Sequence, residues 1–572
     1  MTASTRSLWA WGTVERFPDD DARRRLAQSA RMLTGGAAPA LRPLPRDQDA
    51  RISATRVAPP PSLASIASTA PRDRAAHAYG RGYPDLIRGF AGDFAAAPDV
   101  ILRPRSAADV AAILDWCASA RIAAVPYGGG TSVVGGVELP LSARADWAGV
   151  ACLDLAQLAG VHEVDQLSGA ARIGAGTFGP ALEAGLAAHG VTLRHFPQSF
   201  EHSTLGGWLA TRAGGHYATG PTHIDDFVEA MTVVTPRGLV ATRRLPASGA
   251  GPDPNRLWLG SEGALGVITE AWMRITARPR FRARASIEFV RFDDAVAAAR
   301  ALARSGLQPA NCRLLDPAEC LLHQVSRGGS SVLLIAFESA DHALHAWMDR
   351  ALELARDHRG TIASGPTHDD RDLADTGRAP VDELRANGKG GGDRAPVDEL
   401  RANGEGGQGA ADRAGLDRSW RKAFIDAPYL QSALVSIGVM ADTFETACTW
   451  AAFPAVHAAI TTAAQGALRR TVGGGLISCR FTHVYPDGPA PYYTFLGPTR
   501  AGDELAIWRE VKHAVSDALS AAGATITHHH AVGRLHRPWY DRERPDLFAA
   551  TLRAAKHTLD PAGILNPGVL LD

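Results

Sequence analysis

The sequence predicts an α+β protein built from more than one domain. Three observations lead there. The chain has 572 residues, more than one hydrophobic core ordinarily serves. Residues 96–280 alternate short strand patterns, helical patterns and glycine turns. Residues 281–540 repeat that mixture as a second region. Around these lie two flanks. Residues 1–95 are an Arg-, Ala- and Pro-rich extension with a helical part, in which Ala58-Pro59-Pro60-Pro61 reads as an extended linker. Trp9, Trp11 and Phe17 are expected to dock on the body of the protein. Residues 541–572 close the chain with a helix, Asp546–Leu559, that stops before Asp560-Pro561.

The first region opens with a clear local logic. Val100 and Leu102 alternate in a short strand, Asp99–Arg103. Ser106 suits a helix N-cap, with Asp109 three residues on. Val110, Ile113, Leu114 and Cys117 then recur at helical spacing, and Ile122–Val125 reads as a second strand. Pro126-Tyr127-Gly128-Gly129-Gly130-Thr131-Ser132 follows at once. Its glycines let backbone N–H groups approach an anion and take φ > 0 freely, and Thr131 and Ser132 add hydroxyls. The stretch therefore reads as a phosphate cradle made of bare loop. It has neither the G-x-G-x-x-G order of a Rossmann turn nor the lysine of a P-loop.

Composition narrows the class. Hydrophobic residues make up 45% and charged residues 21% of the chain, ordinary for a globular protein. Lys+Arg and Asp+Glu balance to a net charge of zero, which gives no electrostatic case for nucleic acid or an anionic membrane. Only Lys389, Lys422, Lys512 and Lys556 are lysines, and this Arg- and Ala-rich usage is that of a GC-rich bacterial coding sequence. Six cysteines (Cys117, Cys152, Cys312, Cys320, Cys448 and Cys479) form no C-x-x-C and are expected as reduced core thiols of a cytoplasmic protein. No run reaches the roughly 18 apolar residues of a membrane span, and the N-terminus lacks an apolar signal core. Arg378–Gly388 recurs as Arg394–Gly404, a tandem duplication with glycine-rich spacers. Residues 376–415 are accordingly expected to be a disordered surface insertion without a catalytic role.

Three further segments place hydroxyls and glycines where a flat cofactor could approach backbone. They are Pro197–Trp208, which contains Ser203, Thr204, Gly206 and Gly207, then Thr211–Gly215, and Trp258–Ile268. Together with Tyr127–Ser132 and Thr235-Pro236-Arg237-Gly238, their order resembles the FAD-binding domain of the vanillyl-alcohol oxidase type. Within that superfamily the chain is most similar to the alkyldihydroxyacetone-phosphate synthase (alkylglycerone-phosphate synthase) family, from about residue 80 onward outside the duplication. The resemblance implies a bipartite FAD-binding domain over 96–280, a substrate cap over 281–540, and a C-terminal segment that returns to the FAD domain.

The same resemblance implies roles. Gly128, Gly129, Gly130, Thr131 and Ser132, following Pro126, would hold the pyrophosphate of FAD. Pro197, Ser203, Thr204, Gly206 and Gly207 would line the flavin, with Thr211 nearby. Glu262, Gly263, Leu265, Gly266, Val267 and Ile268 would contact the adenine or ribose side. The glycine loop carries neither His nor Cys, so the flavin is expected to be non-covalent. The family's chemistry would be ether-lipid synthesis. A base removes a C1 proton from acyl-dihydroxyacetone phosphate, flavin N5 captures the carbon as the fatty acid leaves, and a long-chain alcohol adds with no net redox change. The partners expected are a small-molecule or lipid substrate, a second copy in a homodimer, no nucleic acid, and a peripheral membrane contact through Trp9–Phe17.

In the cap, Thr527-His528-His529-His530-Ala531-Val532-Gly533 offers three adjacent imidazoles for proton transfer near neutral pH, or for metal ligation. On a strand, His528 and His530 would share a face that His529 does not. The triplet resembles the synthase's active-site motif, whereas the family's D-2-hydroxy-acid dehydrogenase cousins carry Glu-His-Gly there; no metal is assigned. By the same resemblance, Arg313 is an active-site arginine, Tyr492 a catalytic tyrosine, and Thr443–Ala447 with Trp450 the start of a cap helix. A guanidinium suits phosphate or carboxylate because it binds in a fork. His483 is a further candidate. One departure stands out: Gln431-Ser432 occupies the place of the family's Arg-Asp, an arginine that grips the substrate phosphate. Phosphate recognition would then rest on Arg313 with Arg480 or Arg534. The alternative is an FAD-linked oxidase or dehydrogenase of a D-2-hydroxy acid or related alcohol.

Overall fold

In the computed structural model the chain divides its strands among three principal sheets. The structure describes residues 6–34, 41–323, 325–326, 329–370 and 416–571. The duplicated insertion lies outside the described residues.

The first sheet has four strands in the order Ala67–Ser68, Val100–Leu102, Gly149–Asp154 and Ile122–Tyr127, the last three parallel. The helix between them, Ala107–Ala120, is capped as its sequence implies: the Ser106 side chain accepts from the Asp109 N–H. Val110, Ile113, Leu114 and Cys117 form its buried face. The helix stops at Arg121, whose φ of 52° is left-handed and turns the chain into the next strand. The second sheet is antiparallel and five-stranded: Gly238–Ala241, Val228–Thr235, Val267–Arg274, Ala170–Gly174 and Val161–Asp165.

The third sheet has seven antiparallel strands: Thr361–Asp370, Phe281–Phe289, Ser331–Ser339, Asn311–Leu315, Leu476–Val484, Pro489–Pro498 and Val439–Glu445. The helices Phe292–Arg304, His345–Asp357, Phe453–Val472 and Glu504–Ala521 bury their apolar sides in its main core. The helix Leu416–Val435 packs elsewhere on this sheet, in a separate core with the N-terminal helix Asp20–Thr34, Val439, Ala441 and Leu496. Thr443–Glu445 is thus the end of a strand, and the helix that follows starts at Phe453. The motif Thr443–Ala447 does not open a helix, because pairing with Pro489–Pro498 extends it as a strand.

The flanks are tied down. Trp9 and Trp11 are 4% and 5% exposed, and Trp9 packs on Phe17 and Phe90. The docking expected of them is what the structure has. The membrane contact expected through the same rings finds Trp9 and Trp11 buried inside the protein. At the other end, Ala124 donates to Ile564 O and accepts from Asn566 N–H, so the C-terminal segment lies along the edge strand of the first sheet. All six cysteines are free thiols, five of them buried.

Candidate active site

Between the glycine loop that follows the first sheet and the seven-stranded sheet there is a cleft of about 290 Å³. The glycine loop, residues 128–134, forms one wall, and the turn that carries Ser199, Ser203 and Thr204 presses against it. Glycine is required here by contact rather than by turn type alone. A Cβ at Gly129 would lie 1.7 Å from His202 O, and one at Gly130, whose φ is +63°, would lie 1.8 Å from the Tyr127 hydroxyl. Thr204 accepts from the Gly207 N–H to start the helix Leu205–Thr211, and Ser203 accepts from Trp208 Nε1 at 2.7 Å. Pro197, Gly207 and Thr211 also line the cleft.

The opposite wall comes from the seven-stranded sheet, whose register puts Glu445, Tyr492 and Arg480 on one line across three strands. Arg313, on the neighbouring strand, is 1% exposed and donates to His216 O. Arg480 is paired with buried Glu319 at 2.6 Å and lies over the Tyr492 ring at 4.1 Å. Burial pushes the Glu319 carboxyl up, but Arg480 and His323 outweigh it and hold the group below its ordinary range. The Tyr492 hydroxyl donates to Thr443 Oγ1 at 3.0 Å, and burial raises its pKa. Lys512, from the helix Glu504–Ala521, enters the same cleft and donates to Thr443 O at 2.8 Å.

The histidine triplet is arranged by Glu445. Its carboxylate accepts the N–H groups of His528, His529 and His530 at 2.8–3.1 Å and the Thr527 hydroxyl at 2.6 Å. Burial would raise this carboxyl; the imidazoles of His529 and His530 and the hydrogen bond from His529 hold it well below the usual range. Three successive N–H groups aimed at one anion need a bend, not a strand, so the expected alternation fails. His529 and His530 line the cleft, while His528 turns away to Tyr485, whose hydroxyl is 2.8 Å from its Nε2. Burial pushes the pKa of His530 down to about 3 and that of His528 well below its ordinary value, so both are neutral at physiological pH. His483 is a buried residue of the cleft lining, with Nε2 3.0 Å from Gly215 O.

Two family models match the chain: one described as FAD binding domain over residues 98–243, and one described as FAD linked oxidases, C-terminal domain, over residues 278–374 and 394–570. The alkyldihydroxyacetonephosphate synthase of Dictyostelium discoideum is 30% identical over 505 residues, covering 87% of this chain and 77% of the relative. That of Trypanosoma brucei brucei is 28% identical over 501 residues with the same coverage. The chain belongs to the alkyldihydroxyacetonephosphate synthase family. A solved structure of an alkyldihydroxyacetonephosphate synthase superposes with a TM-score of 0.72 at 23% identity, covering 95% of this chain and 92% of that one, a likeness of fold. The protein is an FAD-dependent enzyme of the FAD-linked oxidase type.

Several residues expected at the synthase-like site lie off the cleft. Gly206 faces Ala175, 2.8 Å from where its Cβ would be. Leu265 and Ile268 are in the core of the second sheet, and Val267 is in the core of the first. Gly266 packs on Val233, and Gly263 on Pro126. Glu262 spends both carboxylate oxygens on the N–H groups of Val532 and Gly533. Arg534 donates to Glu138 O and Pro567 O, behind the glycine loop. Gln431 lines the cleft, but its amide donates to Ala441 O and Asp442 Oδ1. The side-chain nitrogens of His483, His528 and His529 lie within 4.8 Å of one another. One ion at bonds of about 2.1 Å spans donors at most about 4.2 Å apart, so the group would have to contract to hold a metal. Trp11, Lys512 and the anchoring role of Glu445 were not legible in the motifs. The only sequence signal for Lys512 is its rarity.

Proposed function

We propose that this enzyme exchanges the acyl group of acyl-dihydroxyacetone phosphate for a long-chain alcohol, the reaction named by its family. The observation that carries the reading is the cleft itself. Its lining joins the glycine loop to His529, His530, Tyr492 and the cations Arg313, Arg480 and Lys512. The same lining includes the apolar side chains of Trp11, Leu322, Leu430, Leu434 and Leu496, suited to alkyl chains.

In this reading Gly128–Ser132 hold the pyrophosphate of a non-covalent FAD, and Pro197, Ser203, Thr204, Gly207 and Thr211 border its ring system. The glycine contacts fit such a group, because any side chain there would break the loop's packing. When bound there, flavin would supply an electrophilic centre for the exchange. The protein's own residues do the rest. Arg313 and Arg480 orient the phosphate, and His529 takes the C1 proton. His530 and Tyr492 shape the ground beside it, and the cleft keeps water from competing with the alcohol. The C1–O bond to the acid breaks, a C1–O bond to the alcohol forms, and the proton returns to C1, so no electrons are gained or lost.

The test is product analysis under anaerobic conditions with acyl-dihydroxyacetone phosphate and an isotopically labelled fatty alcohol. The expected result is labelled alkyl ether and free fatty acid in equal amounts. Lasting flavin bleaching by a 2-hydroxy acid, with no ether formed, would instead support oxidation, a reading favoured by Gln431 standing where the family has arginine.

A further inference from the structure

We infer that His529, His528 and Tyr485 form a proton relay that carries the substrate's proton out of the buried cleft; this rests on the acyl-exchange reading above. His529 lines the cleft, and its Nδ1 lies 3.0 Å from Nδ1 of His528. His528 Nε2 is 2.8 Å from the Tyr485 hydroxyl, which is 3.0 Å from Thr222 Oγ1. The His528 side chain is 5% exposed, and Tyr485 is part-exposed and followed by exposed Pro486 and Asp487. The three side chains thus run by hydrogen bonds from the cleft lining to a part-exposed tyrosine next to the exposed Pro486 and Asp487.

The chain of transfers balances. The Nδ1 of His529 faces His528 and Glu445, which leaves Nε2 for the substrate. When Nε2 accepts the C1 proton, the electron pair stays on C1. His529 passes its Nδ1 proton to Nδ1 of His528, His528 passes its Nε2 proton to the Tyr485 oxygen, and Tyr485 gives its own proton to water. Each member gains one proton and loses one, and the reverse sequence returns a proton to C1. Glu445 Oε2, 3.2 Å from His529 Nδ1, steadies the transient imidazolium without entering the chain. His528 and Tyr485 are therefore positioning residues for proton transfer and touch no substrate.

Tyr485→Phe keeps the ring beside His528 and removes one hydroxyl. The expected result is a fall in kcat of about 10–100-fold with KM nearly unchanged, a larger solvent deuterium effect, and partial rescue by added imidazole. Flavin content and melting temperature should match the wild type. Turnover like the wild type, or a loss that imidazole does not relieve, would overturn the relay. If the wild type forms no ether, the acyl-exchange reading fails instead. The relay is then judged from ring ¹⁵N signals: in Tyr485→Phe those of His528 and His529 shift together if the three are coupled, and stay in place if they are not.

Discussion

Glu445 is a buried carboxylate that accepts N–H groups from three consecutive histidines, and this fixes which imidazole faces the cleft. Replacing it by glutamine puts an amide N–H₂ against some of those donors. A buried donor left unmade costs about 1–3 kcal/mol, so Glu445→Gln should lower the melting temperature by several degrees and kcat by at least about 100-fold. Thermal unfolding and steady-state kinetics on one preparation check both. Gln431 behaves differently, because its amide is already committed to Ala441 and Asp442. Gln431→Ala should change KM by less than about threefold, whereas Arg313→Ala should lower kcat/KM by more than about 100-fold. Equal effects would contradict the assignment of phosphate binding to Arg313. Glu262 gives a pH signature. Burial raises its carboxyl from 4.5 to about 7. The folded state therefore keeps a proton that the unfolded chain has released between these values, and stability falls as pH rises through that window, by up to ~3 kcal/mol. Glu262→Gln removes this term, so its stability relative to the wild type should improve from about pH 5 to about pH 8. Parallel denaturation midpoints across that range would show that Glu262 does not titrate there.

The elements that sequence reading located are those whose signals are local. Ser106, Asp109 and the apolar spacing of Val110–Cys117 specify the helix Ala107–Ala120 within its own span, and Asp560-Pro561 marks the end of Asp546–Leu559. The glycine loop was legible for the same reason. The cleft wall on the seven-stranded sheet was only half legible. Arg313, Tyr492 and the histidines carry chemical character in their own motifs, but Glu445 acts on residues more than eighty positions away, and no short window contains that pairing. Gly206 and Leu265–Ile268 were assigned to the cofactor through the family resemblance; in the structure Gly206 packs against Ala175, Leu265 and Ile268 lie in the core of the second sheet and Val267 in that of the first. Trp11 was legible as a docking residue, yet its place in the cleft depends on the helix Leu416–Val435, whose Ser432 hydroxyl accepts the Trp11 N–H at 3.1 Å. Trp11→Ala should raise KM about tenfold for long-chain substrates and leave short-chain analogues unchanged. A uniform rise across chain lengths would place Trp11 outside the alkyl path.

Across the whole molecule, the site depends on distant parts of the chain being held together. Lys556 is the tie: its buried ammonium donates to Ala264 O, Leu565 O and Asp560 Oδ2 at 2.6–2.7 Å, joining the last helix, the final segment and the turn after Glu262. Removing one partner of a buried pair costs about 3–5 kcal/mol, so Lys556→Met should unfold several degrees lower and release FAD early in the transition, followed by flavin fluorescence. The central claim also belongs to this scale, because loop, cap and N-terminal segment all enclose one cleft for a reaction without net redox change. Anaerobic turnover with no electron acceptor tests it most directly, with acyl-dihydroxyacetone phosphate, excess long-chain alcohol and a known amount of enzyme-bound flavin. The account predicts many equivalents of ether per flavin, with the oxidised flavin spectrum restored at the end. A single equivalent of product, accompanied by stoichiometric and persistent flavin reduction, would contradict it.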